Sequence, residues 1–126
     1  MTAVTVSQDG PFTLVDLKNG TLVDMRVELS IYRQRLTLFN MNRQRKQLAI
    51  YVGRIRGLDF TAARYACGED FEQITEAKVL VLESVLNRTF ANMMLTLNKP
   101  QFPVYVCGSV AQAKACLQEN HPQGEQ

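Results

Sequence analysis

Leu48-Ala49-Ile50-Tyr51-Val52, Val79-Leu80-Val81-Leu82 and Val104-Tyr105-Val106-Cys107 are three short apolar runs, each leading into a stretch with helical spacing. Strands apolar on both faces that alternate with helices belong to a mainly parallel sheet covered by helices. In such a sheet the strand exits gather along one edge, where α/β domains usually bind their ligands. The predicted fold class is therefore α/β. No stretch of the chain spells out a reaction.

Downstream of each run the spacing predicts a helix. Phe60, Ala63, Cys67, Phe71 and Ile74 mark one face of the helix after the first run, although Gly68 inside it costs about 1 kcal/mol relative to alanine and favours a break. After the second run, Leu86, Phe90, Met93 and Leu97 recur at helical spacing and Asn98-Lys99-Pro100 ends the helix. That stripe reads as core. Pro100 and Pro103 confine the approach to the third run, after which Ser109 caps a helix carrying Val110, Ala113, Cys116 and Leu117.

Upstream, Ser30 is placed to cap a helix to about Asn42 with Tyr32, Leu36 and Phe39 as its stripe. Phe12–Leu17 and residues 22–29 read as a hairpin about Asn19-Gly20, because both central turn residues tolerate positive φ. In its second strand Val23, Met25, Val27 and Leu29 alternate with a wet side of Asp24, Arg26 and Glu28. Residues 1–11 read as a loose leader and 120–126 as a polar tail. The expected order is β-β-α-β-α-β-α-β-α: a mixed, mainly parallel sheet, an N-terminal β-hairpin and about four helices. Right-handed crossovers put most of those helices in one layer.

A chain of 126 residues with 46% hydrophobic and 21% charged residues fits one globular domain. A net charge of +2 is too mild for a nucleic-acid partner. The nearest basic cluster is Arg33, Arg35, Arg43, Arg45 and Lys46, and its last three members fall near a predicted helix end, where cations suit the dipole. Neither a signal peptide nor a membrane span is visible. Cys67, Cys107 and Cys116 form no zinc-type pair and read as reduced thiols of a cytoplasmic protein. The sole histidine, His121, sits in the tail, which speaks against a triad or a histidine-based metal site. No cofactor, metal or catalytic residue is expected. Asp59 and Glu83, on neighbouring strand exits, are the one acid–base pair that topology could bring together.

This order, with particular residues, resembles the STAS family, the sulfate-transporter and anti-sigma-factor-antagonist domains, and is most similar to small bacterial STAS/Sec14-like proteins of the sporulation anti-anti-sigma type. The likeness covers residues 12–119 and is carried by Ala77-Lys78-Val79-Leu80-Val81-Leu82-Glu83-Ser84, Asn87-Arg88, Asn92, Asn98-Lys99-Pro100, Pro103, and Ala111-Gln112-Ala113-Lys114-Ala115-Cys116-Leu117. The resemblance implies a regulatory module whose partner is a kinase or sigma-factor regulator. Signalling members carry an Asp-Ser-Ser-Gly-like turn with a phosphorylated serine. The corresponding stretch here is Asp59-Phe60-Thr61-Ala62, which leaves Thr61 as the phosphate acceptor and Asp59 to Arg64 as the docking edge. The alternative for the same residues is plain helix capping by Asp59, with Thr61 in the first turn.

Parallel central strands would bring three exits together, at residues 54–59, 83–88 and 107–109. Arg56, Ser84, Asn87, Arg88 and Ser109 then form a candidate site for a small anion or a partner's acidic group. Local pairing and capping account for the same residues equally well. Three functions remain open: the non-enzymatic regulatory module, a Sec14-like binder of an apolar or amphipathic anionic ligand with Phe90, Met93, Met94 and Phe102 around its cavity, and a homodimer module.

Overall fold

The computed structural model describes residues 3–122. Val4–Asp9 (β1) runs antiparallel to Phe12–Leu17 (β2), with Asp9 opposite Phe12. The intervening turn is Gly10-Pro11, and Gly10 has φ +58° in the first central position, where a type II′ hairpin turn needs glycine. The N-terminal hairpin is thus present, one strand earlier than expected, and residues 4–9 are a strand instead of a loose leader. Its composition hides it: of β1 only Val4 is buried, as befits an edge strand.

Asn19-Gly20 makes no hairpin. Gly20 donates to the Arg54 carbonyl at 2.7 Å and the Asn19 side chain accepts from the Arg54 N–H at 3.1 Å, so this turn docks on the loop leaving a central strand. Leu22–Val23 (β3) then pairs in parallel with Gly57–Leu58 (β5) as a separate two-stranded sheet. The predicted strand over 22–29 ends at Asp24, whose carboxylate accepts from the Val27 N–H at 3.0 Å and starts Met25–Met41 (α1). Met, Arg, Glu and Leu are good helix formers, and a chance alternation of apolar residues mimicked a strand.

The main sheet has the order β1-β2-β4-β6-β7, where β4 is Gln47–Val52, β6 is Thr75–Val81 and β7 is Val104–Cys107. β2, β4, β6 and β7 are all parallel, so the sheet is mixed and mainly parallel. Phe60–Ala66 (α2) and Glu69–Ile74 (α3) divide at Cys67-Gly68, the break that Gly68 foreshadows. Val85–Leu97 (α4) and Val110–Asn120 (α5) are the last two helices among the described residues.

Alternation along the strands builds two cores. Val15, Ala49 and Tyr51 face α1 to α3 with Ile31, Phe71 and Ile74, while Leu48, Ile50, Ala77 and Val79 face α5 through Ala113 and Leu117. The first core also holds a charge. Arg35, fully buried, donates to Gln47 Oε1 (2.7 Å), Tyr51 Oη (3.1 Å) and Thr75 Oγ1 (2.6 Å), and lies over the Phe71 ring. It is therefore a core residue and no part of a solvated basic cluster.

α4 departs from expectation. None of its residues is buried, and Leu86, Phe90, Met93 and Leu97 are 77%, 48%, 52% and 66% exposed. The stripe predicted as core stands open, because α4 touches the sheet mainly at its edge strand β7.

Candidate functional site

Because α4 stands off the sheet, a cavity of about 1430 Å³ opens between it, α2 and the face of β4 and β6. This exceeds the usual range of small-molecule pockets, roughly 300–1,000 Å³. Its walls are apolar: Leu17, Val23 and Ile31 on one side, Ala63 and Ala66 of α2 on another, and Phe90, Met94 and Leu95 of α4 opposite. Of the four residues expected around a cavity, Phe90 and Met94 line it. Met93 points outward, and Phe102 is buried in the core of α1 to α3.

The mouth is the rim where the three parallel strands exit. Arg54, Arg56, Glu83, Ser84, Asn87 and Ser109 all border it. Several of these are occupied locally. Ser84 Oγ accepts from the Asn87 N–H at 3.4 Å and Ser109 Oγ from the Gln112 N–H at 3.1 Å, both as helix caps. Arg88 donates to the carbonyls of Leu82 (2.6 Å) and Glu83 (3.0 Å), tying down the start of α4 behind the rim. Arg54 and Glu83 lie 3.4 Å apart but both are well exposed, so the pair contributes little. Arg56 is exposed at the mouth, its backbone N–H given to the Thr21 carbonyl at 2.8 Å.

Asp59, Thr61 and Arg64 sit on the outer side of α2, opposite its cavity-lining alanines. Asp59 Oδ2 accepts from the Ala62 N–H at 3.2 Å, Arg64 lies over the Phe60 ring at 5.2 Å, and Thr61 is exposed. Asp59→Ala is expected to lower stability by about 1 kcal/mol through loss of this cap. Thr61→Ala, an exposed change, should stay within about 0.5 kcal/mol of wild type. Urea unfolding of the two variants measures both.

Sequence reasoning missed the floor. Glu28 of α1 and Lys78 of β6 both line the cavity and are 4% and 8% exposed. Glu28 Oε1 has no hydrogen-bond partner. Burial pushes the Glu28 carboxyl above its ordinary pKa, while the charges of Lys78 and Arg35 pull it down. Lys78 Nζ lies 4.4 Å from the centroid of the Tyr51 ring. The signal was available in part: a lysine inside an apolar strand is unusual, but Glu28 was hidden by reading residues 22–29 as a half-wet strand. Cys67 also faces the cavity, and burial raises its thiol pKa.

Away from the cavity, Tyr105 Oη meets His121 Nε2 at 3.0 Å, and His121 Nδ1 lies 3.3 Å from Glu76. His121 is thus seated against β6 and β7, whereas residues 123–126 of the expected tail fall outside the described residues. Among the described residues no cluster of three or more His, Cys, Asp or Glu is placed to hold a metal ion, and no helix is long and apolar enough to cross a membrane.

The family model described as a domain of unknown function, DUF7793, matches residues 7–121. The chain belongs to this family. None of the curated proteins matches this DUF7793 member. Among solved structures it is similar to the crystal structure of an uncharacterized protein of the DUF3478 family, with a SpoIIAA-like fold, from Shewanella loihica PV-4. Identity is 11%, coverage is 91% of this chain and 92% of that one, and the TM-score is 0.57. The likeness shows the fold: the DUF7793 chain has the SpoIIAA-like, STAS-type architecture.

Proposed function

We propose that this DUF7793 member is a non-enzymatic module that binds an apolar or amphipathic small molecule in the cavity beneath α4. One observation carries the reading: a large, mostly apolar space opens at the strand exits while Leu86 and Phe90 of α4, on its border, stay 77% and 48% exposed. Burying an exposed leucine or phenylalanine is worth roughly 1.5–3 kcal/mol, so a helix that leaves several exposed gives up considerable stability. A ligand in the cavity covers Leu86 and Phe90, the exposed apolar side chains of α4 that line it, and recovers their share. The free, half-buried cysteines support a reducing, cytoplasmic setting.

Native mass spectrometry of the purified chain tests for a retained ligand, and titration with anilinonaphthalene sulfonate, an amphipathic dye, tests the space itself. Saturable binding by a cooperatively melting protein is expected. Ala91→Trp, which fills the cavity from α4, should weaken the dye by at least about tenfold. A clean apo mass together with no saturable dye binding removes the reading.

A second reading, docking of a kinase or sigma-factor regulator on the outer side of α2, is favoured by the exposed Thr61 beside Phe60, which is 50% exposed. Phosphosite mapping of protein from native cells tests it. Phosphate on Thr61 supports the reading, and a consistently unmodified Thr61 with a wild-type phenotype for Thr61→Ala ends it.

A further inference from the structure

We propose that the cavity floor is a subsite for one uncharged polar group able both to donate and to accept a hydrogen bond, a hydroxyl or primary amide ending an aliphatic chain, held between Glu28 and Lys78. The inference rests on the ligand-binding reading above and specifies its ligand.

Glu28 reaches the floor from α1 and Lys78 from β6, the strand face that α1 to α4 cover. Both are buried, yet no ion pair joins them among the described residues, and Glu28 Oε1 is left without a donor. Buried polar groups are almost always satisfied, so a buried carboxyl that lines a cavity and keeps one oxygen without a donor marks a place where something else supplies the bond. The other carboxyl neighbour, Arg35, has committed its guanidinium to Gln47, Tyr51 and Thr75. Lys78 presents its ammonium to the Tyr51 ring face, which leaves N–H groups for an acceptor.

The chemistry of the pair selects the ligand's end group. The Glu28 carboxylate asks for a donor and Lys78 offers donors only. A carboxylate brings acceptors alone and meets the Glu28 oxygen unfavourably. An ammonium meets Lys78 unfavourably. A hydroxyl or primary amide answers both, and the apolar walls above take the chain. A ligand lacking the donor displaces water from the floor without replacing its hydrogen bonds, which costs affinity.

The test is displacement of anilinonaphthalene sulfonate from the full chain by decanol, by methyl nonyl ether, which has the same number of heavy atoms but no donor, and by decanoate. Wild type is expected to prefer decanol by at least about tenfold over both competitors. In Glu28→Met, which removes the acceptor, the preference over the ether should shrink to within roughly twofold, whereas in Lys78→Met, which removes the donor that both oxygens use, decanol and the ether should weaken together by at least about threefold. Two variants from different elements keep the test decisive if one fails to fold. Equal displacement by all three molecules in wild type, an undiminished preference in folded Glu28→Met, or undiminished affinity for both decanol and the ether in folded Lys78→Met overturns the floor subsite while leaving the cavity reading intact. Absence of saturable dye binding defeats the cavity reading and the subsite together.

Discussion

Arg35→Met is expected to lower stability by about 3–5 kcal/mol, the range for removing one partner from a buried charged network. Methionine retains most of the stem volume, so the loss isolates the hydrogen bonds from the packing. Gln47 Oε1, Tyr51 Oη and Thr75 Oγ1 would all lose their donor in a fully buried setting, and these residues lie on β4 and β6, the central parallel pair. The Gln47 side chain also donates back to the Arg35 carbonyl at 2.9 Å, so helix and sheet are stitched in both directions. Arg35→Lys should recover only part of the loss, because a single ammonium cannot serve acceptors spread across a planar fork. Urea unfolding gives the comparison. A methionine variant within about 1 kcal/mol of wild type would show that the acceptors find water or rearrange, and that the network is dispensable.

Gly53→Ala is the second large effect, and its cause is steric. Gly53 leaves β4 with φ +128°, a conformation side chains rarely adopt, and an added Cβ would fall on the Leu17 backbone carbonyl at the end of β2. Backbone cannot yield as a flexible side chain can. The cost should be at least about 3 kcal/mol, combining strain with the clash. The same change moves the loop carrying Arg54 and Arg56, so dye binding at the cavity mouth should fall alongside stability. Gly20→Ala is the control: its φ is +85° but nothing lies within 4 Å of the new Cβ, so about 1–2 kcal/mol is expected. Similar losses for the two variants would mean that the Leu17 contact does not matter.

The parts of the fold that showed in the sequence are those where one physical demand dominates. The runs at 48–52 and 79–82 belong to the central strands and are mostly buried on both faces, so nearly every residue must be apolar, and 104–107, half-buried at the sheet edge, carries the same pattern. Helix caps were equally plain at Asp59, Ser84 and Ser109, since an oxygen-bearing side chain there satisfies a backbone N–H that has no other partner. What stayed hidden was whatever depends on a distant neighbour. β1 is legible only through its pairing with β2. Asn19-Gly20 has the chemistry of a hairpin turn but spends its groups on Arg54. The α4 stripe at Leu86, Phe90, Met93 and Leu97 correctly announced a helix, yet whether a helix lies flat on its sheet is a tertiary outcome. The floor pair was missed for a related reason. Lys78 is one charge in an apolar strand, and its meaning appears only when Glu28, fifty residues earlier, arrives beside it from a helix that had been read as a strand.

The strand order has a consequence for how sites can arise in this architecture. From β2 through β4 and β6 to β7 the sheet grows in one direction without reversing. Doubly wound sheets obtain their crevice where successive connections diverge to opposite faces, and a one-way sheet has no such divergence. Room for a guest must then come from incomplete coverage: a connecting helix that declines to fill its share of the layer. Sequence changes that alter how closely α4 settles would therefore tune the volume on offer while leaving the sheet untouched, so that capacity and scaffold can vary independently.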